Sequence, residues 1–596
     1  MAHEPHGDLV GSQARKLFEA ALALHRKGEP SGAQDLYRQC LAHAPGHFGA
    51  LHMLGLSCMQ LGDPRSAAAW IARALEIDPA SADAHCNLGT AFKDIGRFEE
   101  ADLHFRRAAE LRPGFALAHS NRGDMLRTTG RLDEALECCE QAVQARPDMA
   151  AAHINLGNVL NDLGRTQEAL ASYDRALELK PASAGAHYNR ADALRSLGRP
   201  DEALASYDRA IELRPTFAEA HSNRGNALQD LQRLDDALAS YLRAAQLRPD
   251  YPEAHHNAAA VLRELGLVEE AAARFRHARE LRPDYADALL NEALTLLLMG
   301  DYARGLPLYE YRWDKPGVKR LRRKFAQPLW VGQADLAGKT VLLHAEQGLG
   351  DTIQFCRYAR MVQARGARVV METPRALGPL LTGLAGVDAW VPTGQPLPAF
   401  DLHCPLLSLP LALGTRADSI PAPVPYLHAQ PERVARWAQR LGASGFRIGI
   451  CWQGSTQAVD AGRSFAVTHF EGLSQVPGVR LISLHRGAGE AQLAHLPPSM
   501  RVEQLGDELD RDGAFLDTAA VIMHCHLVIT SDTAVAHLAG ALGAPVWLAL
   551  KHVPEWRWML QREDSPWYPT MRLFRQHTRG DWPEVFERIE AEARLL

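Results

Sequence analysis

The sequence predicts an all-α repeat superhelix followed by an α/β domain, and three observations predict it. A proline recurs every 34 residues, at Pro45, Pro79, Pro113, Pro147, Pro181, Pro215, Pro249 and Pro283. Small residues recur at the same period. Beyond residue 338, short apolar runs alternate with amphipathic segments across glycine-containing loops. Fixed spacing of this length marks a stack of identical helix–turn–helix units. Strand–loop–helix alternation marks a parallel sheet.

Each element of the repeat has a reason. Position 8 is small throughout, from Ala21, Gly55 and Gly89 to Gly225, Ala259 and Ala293. Position 20 is alanine from Ala33 to Ala271. Small residues there let two antiparallel helices approach closely, with Leu and Tyr filling the gaps. Glycines such as Gly62, Gly96, Gly130, Gly164 and Gly266 end the first helix of a unit. The proline closes the second helix and sets an extended path to the next unit. These columns identify residues 14–312 as a tetratricopeptide-repeat solenoid, with eight full units and a degenerate ninth, Asn291 to Trp313.

Position 6 of the unit is asparagine seven times running: Asn87, Asn121, Asn155, Asn189, Asn223, Asn257 and Asn291. Asparagine is a mediocre helix former, so packing alone does not explain the column. An amide carries both donor and acceptor, so a ladder of amides can hold an extended polypeptide backbone whatever its side chains. Bonding between neighbouring helices is the alternative. The parallel histidine column (His85, His119, His153, His187, His221, His255) is expected to pack or to bond between repeats.

Residues 313–337 form a connector whose basic stretch, Lys315 to Lys324, is expected to be solvated. Strands are expected at 340–344, 368–372, 446–452, 479–484, 527–531 and 545–550, with helices at 351–365 and 533–543. They divide into two lobes, 338–430 and 431–596. Three loops carry candidate chemistry. Gly348, Gly350 and Asp351 follow the first strand, where glycines permit close backbone approach and Asp351 caps a helix or acts on a ligand. Gly454, Ser455, Arg463 and Ser464 combine N–H groups, hydroxyls and a cation suited to phosphate. Ser531, Asp532, Thr533 and His537 open a helix, where N–H groups and hydroxyls seat anions. Trp556, Trp558, Trp567 and Tyr568 are expected to pack rather than stack on a ligand. The Asp510-Arg511-Asp512 string is expected to be solvated.

Taken in order, the three loops resemble the heptosyltransferase-type glycosyltransferases of the GT-B fold, over roughly residues 340–580. The asparagine ladder is similar to that of the O-linked N-acetylglucosamine transferases. The whole chain resembles bacterial tetratricopeptide-repeat glycosyltransferases, including those that act on flagellin. The resemblance implies two Rossmann-like lobes and an inverting, metal-independent transfer from a nucleotide sugar to Ser/Thr of an acceptor protein held by the repeats. It implies Asp351 as general base, with Gly348, Gly350, Gly454, Ser455, Arg463, Ser464, Ser531, Asp532, Thr533 and His537 on the donor side. It further implies flagellin as acceptor and a CMP-activated nonulosonic acid, such as pseudaminic acid, as donor. Two departures stand out: Ala534 replaces the usual glycine after Asp-Thr, and Arg463 replaces a lysine. A scaffold that keeps the fold without activity, or an enzyme acting on a saccharide, are the alternatives.

Composition narrows the field. A net charge of −6 leaves no basic footprint for nucleic acid. No uncharged apolar run reaches the roughly 18 residues of a membrane span. The nine cysteines form no C-x-x-C pair, and the chain opens without an apolar leader. These features point to a cytoplasmic protein without a disulfide or zinc framework, and the resemblance implies that it needs no resident cofactor or metal.

Overall fold

The computed structural model describes residues 6–315, 322–346, 348–454 and 462–596. It divides into two compact units, residues 1–249 and 250–596.

The first unit contains seven helical pairs, from His6–Arg26 with Pro30–His43 to Ala218–Asp230 with Leu234–Leu247. Every second helix ends two residues before its repeat proline, as at Ile77 and Pro79 or Leu213 and Pro215. The small column lies against a bulky one. Tyr37, Ile71, Phe105, Tyr173, Tyr207 and Tyr241 are each no more than 2 % exposed and sit on the second helices. A Cβ placed on Gly157 would lie 2.5 Å from the Tyr173 ring, and one on Gly225 2.6 Å from Tyr241. Close helix approach therefore depends on the missing side chain.

The histidine column bonds locally. Nε2 of His85, His119, His153, His187 and His221 lies 2.9–3.2 Å from the carbonyl oxygen of the proline six residues earlier. A carbonyl only accepts, so Nε2 carries the proton. Each histidine thus pins the turn that its proline shapes, and burial holds His85, His187 and His221 below the usual imidazole range.

The second unit begins with two further pairs, Pro252–Glu264 with Val268–Leu281 and Ala286–Leu298 with the shortened Tyr302–Tyr309. Helical pairs thus continue to Tyr309. The compact-unit boundary nevertheless falls at Pro249 rather than near 312, because the last pairs share a core with the α/β region. Tyr302 packs 5.9 Å from Trp556, and Val268, Leu297 and Leu306 join Val341 and Leu548 in one buried cluster.

Ten strands follow: β1 (Thr340–His344), β2 (Arg368–Thr373), β3 (Ala389–Pro392), β4 (Leu402–Pro405), β5 (Phe446–Cys451), β6 (Val479–Ser483), β7 (Val502–Glu503), β8 (Leu527–Ser531), β9 (Val546–Leu550) and β10 (Met571–Arg575). They form two parallel sheets, ordered β3-β2-β1-β4 and β10-β9-β8-β5-β6-β7. β8 is buried along its whole length, as a central parallel strand requires. The closing helix, Trp582–Ala593, seats Phe586 against Phe465 and Phe470 beside the second sheet.

Three expectations change. The helix expected at 351–365 is broken into Leu349–Phe355, a 3-10 turn and Ala359–Gln363. Asp510 is not a solvated residue. Its carboxylate accepts from the N–H groups of Asp517 and Thr518 at 2.7 and 2.9 Å and caps the helix Leu516–Ile522, while Asp512 pairs with Arg433 at 2.8 Å. The connector's Arg323 is anchored to buried Glu372 and lies over the Phe325 ring. The rest of that stretch, 316–321, lies outside the described residues.

Turn glycines Gly62, Gly96, Gly130, Gly164, Gly198, Gly266 and Gly300 all adopt left-handed backbone, and Gln232 takes the same conformation (φ 60°) where the sequence offers no glycine. A side chain in that region costs roughly 1 kcal/mol. Gln232→Gly is therefore expected to stabilise the chain by about 1 kcal/mol, read as a higher denaturant midpoint at unchanged slope.

Candidate functional site

In open parallel sheets a ligand crevice forms where the strand order reverses, outside the strands' carboxyl ends. In the second sheet the reversal lies between β5 and β8. There the loop after β5 brings Gly454 beside Thr533, so that a Cβ on the glycine would lie 3.6 Å from the threonine methyl. The Gly454 N–H donates to Ser464 Oγ at 3.2 Å. Arg463 Nη1 stands 3.4 Å from the Asp532 carboxylate, which is 7 % exposed. Thr533 occupies the N-cap position of the helix Ala534–Ala541 without a side-chain bond to it, its hydroxyl lying instead 3.1 Å from that of Thr530. The crevice thus gathers Gly454, Arg463, Ser464, Asp532 and Thr533. Ser531 is fully buried, with no partner for its hydroxyl among the described residues. Ser455 lies outside the described residues.

In the first sheet the reversal lies between β1 and β4, and the chain itself fills it. Glu346, just past β1, accepts from the Leu407 N–H at 3.2 Å and from Arg312 at 2.9 and 3.0 Å. Arg312 comes from the turn that closes the ninth helical pair, and it also bonds Glu310 and Ser408. Burial pushes Glu346 up to about 7 against the pull of Arg312.

The glycine loop then turns toward the second sheet. A Cβ on Gly350 would meet His537 Cδ2 at 3.1 Å and Ala534 Cα at 3.2 Å, so glycine suits the close approach of this loop to that helix. The unusual Ala534 sits in this contact. Asp351 receives the Gly348 N–H at 3.1 Å on one oxygen and Arg557 at 2.5 Å on the other. It is both a cap and one arm of an ion pair. Arg557 also holds Glu555 at 2.5 Å and the Gln354 side chain, and its guanidinium lies over Phe355 and Trp556. Burial opposes the charge on Arg557, but Glu555 and Asp351 outweigh burial and hold the cation above its ordinary range. Glu555 moves the other way, because burial raises it more than Arg557 lowers it.

His537 is buried, lies 3.0 Å from the Tyr568 hydroxyl and stacks 5.5 Å from Trp558. Burial, reinforced by Arg557, Arg357 and Arg463, keeps it well below the usual imidazole range, hence neutral. Trp556, Trp558, Trp567 and Tyr568 are core residues that lie between the sheets and Tyr302.

Six of the seven ladder asparagines bond to the preceding repeat. Asn87 Nδ2 lies 2.9 Å from His52, and Asn121 donates to Thr90 at 3.2 Å. Asn155 donates to Ser120, Asn189 to Asn158, and Asn223 to Tyr188 and Asp192. In the second unit Asn291 Nδ2 lies 3.0 Å from His256, while Asn257 Oδ1 lies 3.2 Å from His256 Nδ1. Asn158 and Asp192 are themselves held by Tyr173 and Tyr207 of the second helices. At Asn87 and Asn189 the amide oxygen keeps no partner among the described residues, so acceptors remain for a polypeptide N–H.

The sequence reading missed Arg557, Glu555, Arg312 and Glu346. The available signal was a charge set among aromatics, as in Glu555-Trp556-Arg557-Trp558, since an ion in such surroundings needs a partner.

Comparison with known proteins agrees with the repeat architecture. Tetratricopeptide-repeat models match residues 24–88, 82–115, 114–182 and 172–205, and a TPR-repeat model matches 191–232 and 225–266. The N-terminal region is therefore built of tetratricopeptide repeats. The chain is 27% identical over 321 residues to Protein FlbA of Caulobacter vibrioides, covering 50% of this chain and 53% of that protein. It thus spans about half the length of that relative. Among solved structures, PilF of Pseudomonas aeruginosa is 26% identical with a TM-score of 0.32, over 35% of this chain and 94% of its own. YrrB, described as a TPR protein with an unusual peptide-binding site, is 26% identical with a TM-score of 0.28, over 31% and 95%.

Removing Arg557 strands two partly buried carboxylates, a loss bounded by the roughly 3–5 kcal/mol of fully buried pairs. Arg557→Gln is expected to lower the denaturation midpoint of the second unit markedly, and adding Glu555→Gln to recover part of the loss. Equal midpoints for wild type and Arg557→Gln would show that the pair is not structural.

Proposed function

We propose that the chain is a GT-B glycosyltransferase that moves a sugar, with inversion, from a nucleotide sugar to a Ser/Thr hydroxyl of an acceptor protein engaged by its repeats. The observation that carries this reading is the β5/β8 crevice, where Arg463, the Gly454 loop and the Thr533 helix start converge and the Gly350 loop with Asp351 lies against the same helix. In the proposed step the acceptor oxygen bonds to the anomeric carbon as the bond to the departing phosphate breaks. Asp351 takes the hydroxyl proton on a lone pair not used by Gly348 or Arg557. Arg463 and the surrounding N–H groups stabilise the charge that builds on the leaving phosphate. Flagellin, with a CMP-nonulosonic acid donor, is the first acceptor and donor pair to test, on the strength of the sequence resemblance.

A second reading, a scaffold without activity, has one observation in its favour: both oxygens of Asp351 already have partners, as in a purely structural cap. The two readings part at one substitution. Asp351→Asn is expected to lower transfer about 10²- to 10⁴-fold and to lower the melting midpoint, because Arg557 loses one of its two carboxylates, while acceptor binding measured well below that midpoint stays near wild type. Full turnover in that variant removes Asp351 as base, and absence of transfer by wild type across nucleotide sugars favours the scaffold.

A further inference from the structure

The fourth helical pair, Ala116–Thr128 with Leu132–Ala145, departs from its neighbours on one side. Ala145 closes its second helix where five other repeats carry Leu111, Leu179, Leu213, Leu247 and Leu281. Those leucines are half-buried, whereas Ala145 is exposed. On the second helix of the preceding pair, Ala109 stands where other repeats carry Leu75, Leu177 and Ile211. The lost volume appears as a cavity of about 620 Å³, lined by residues of both Phe98–Leu111 and Leu132–Ala145. Phe105, Pro113 and Ala118 form its apolar part.

The same place has exchanged its charges. Elsewhere the repeats pair Arg190 with Asp174 and Arg224 with Asp208, each at 2.6 Å. Arg122 holds the position of those arginines, but Arg106 holds the position of the aspartates. Asp102, one turn earlier and in a column of leucines (Leu136, Leu170, Leu204, Leu238), takes over their role. It faces three guanidiniums: Arg122 at 2.6 Å, Arg106 at 3.4 Å and Arg131 at 3.7 Å. Arg131 has Glu134 as well. Arg106 and Arg122 therefore share one carboxylate, and both line the cavity. Among the described residues the Arg106 guanidinium makes no hydrogen bond beyond that 3.4 Å approach. Gln141 and Gln144 stand where other repeats form the pairs Arg107–Glu110, Arg175–Glu178 and Arg209–Glu212, so two neutral amides complete the wall. Glu110 is the one carboxylate in the lining, and Arg107 holds it at 2.9 Å; Glu137 and Glu140 do not line the cavity.

We propose that this cavity is a docking site for a polypeptide that sets a leucine-sized side chain over Ala145 and an adjacent carboxylate against Arg106 and Arg122. The apolar side chain takes the place of the missing leucine. The carboxylate accepts the charge-assisted bonds that the shared Asp102 leaves unmade. The site stands apart from the glycosyl-transfer reading. Ladder amides bond from one first helix to the next, as Asn121 does to Thr90, and no ladder asparagine lines the cavity.

The test reads the fluorescence anisotropy of labelled octapeptide pools on the full chain. One pool holds Leu beside Glu at its centre, a second replaces the Glu by Lys, and a third replaces the Leu by Ala. The Leu-Glu pool is expected to bind wild type about tenfold more tightly than either control. Ala145→Leu fills the cavity with the residue that five other repeats carry, so it keeps the fold, and it is expected to abolish the preference. Arg106→Asp restores the residue of two other repeats. It is expected to weaken the Leu-Glu pool by about tenfold and to leave the Leu-Lys pool no weaker. Equal binding of the three pools to wild type, binding of none, or an undiminished preference in either variant would overturn the proposal.

Discussion

A single buried guanidinium organises the second unit. Arg557 reaches Asp351 on the glycine loop of the first sheet, Glu555 on its own strand-end loop, and the Gln354 side chain between them. It does so inside an aromatic wall of Phe355 and Trp556 that continues to Tyr302 and Tyr309 of the ninth helical pair. An ion in such surroundings is tolerated only when it is fully paired. The loop from one sheet and the strand ends of the other therefore cannot drift apart without exposing charge. The contact of Gly350 with His537 and Ala534 depends on that restraint, and so does the crevice beside it.

The repeats obey a different constraint, which is also one of satisfaction. The half-buried amides of the ladder need partners, and within each unit the preceding repeat supplies them, at Asn189 and Asn223 through a group held in turn by a buried tyrosine. The ladder is thus part of what holds successive units in register. In the proposed function a polypeptide would bond to the groups left over, such as the oxygens of Asn87 and Asn189. A structural role and the proposed binding role are compatible because an amide offers more hydrogen-bonding positions than one neighbour uses.

The sequence made much of this legible. The period of Pro45 to Pro283 fixes where every second helix stops, and the small column at Gly55, Gly157 or Gly225 fixes which faces meet. The six central strands were readable because they are short runs of largely apolar residues, whereas the four edge strands, β3, β4, β7 and β10, were not anticipated. The partners of charged groups were not legible. Nothing local to Asp351 announces Arg557, 206 positions later, and nothing near Arg312 announces Glu346. Such pairs arise where loops from different strands converge, and spacing along the chain does not encode that. The break after Phe355 was equally hidden, because helical periodicity persists across a 3-10 turn.

If the account is right, the charged crevice and the ladder serve one reaction. The most direct measurement is the intact mass of candidate acceptor proteins isolated from cells with the wild-type chain, without it, and with Asp351→Asn. The account predicts a sugar-sized mass increment that is present with wild type and absent in the other two. Acceptor masses identical in all three cells would contradict it.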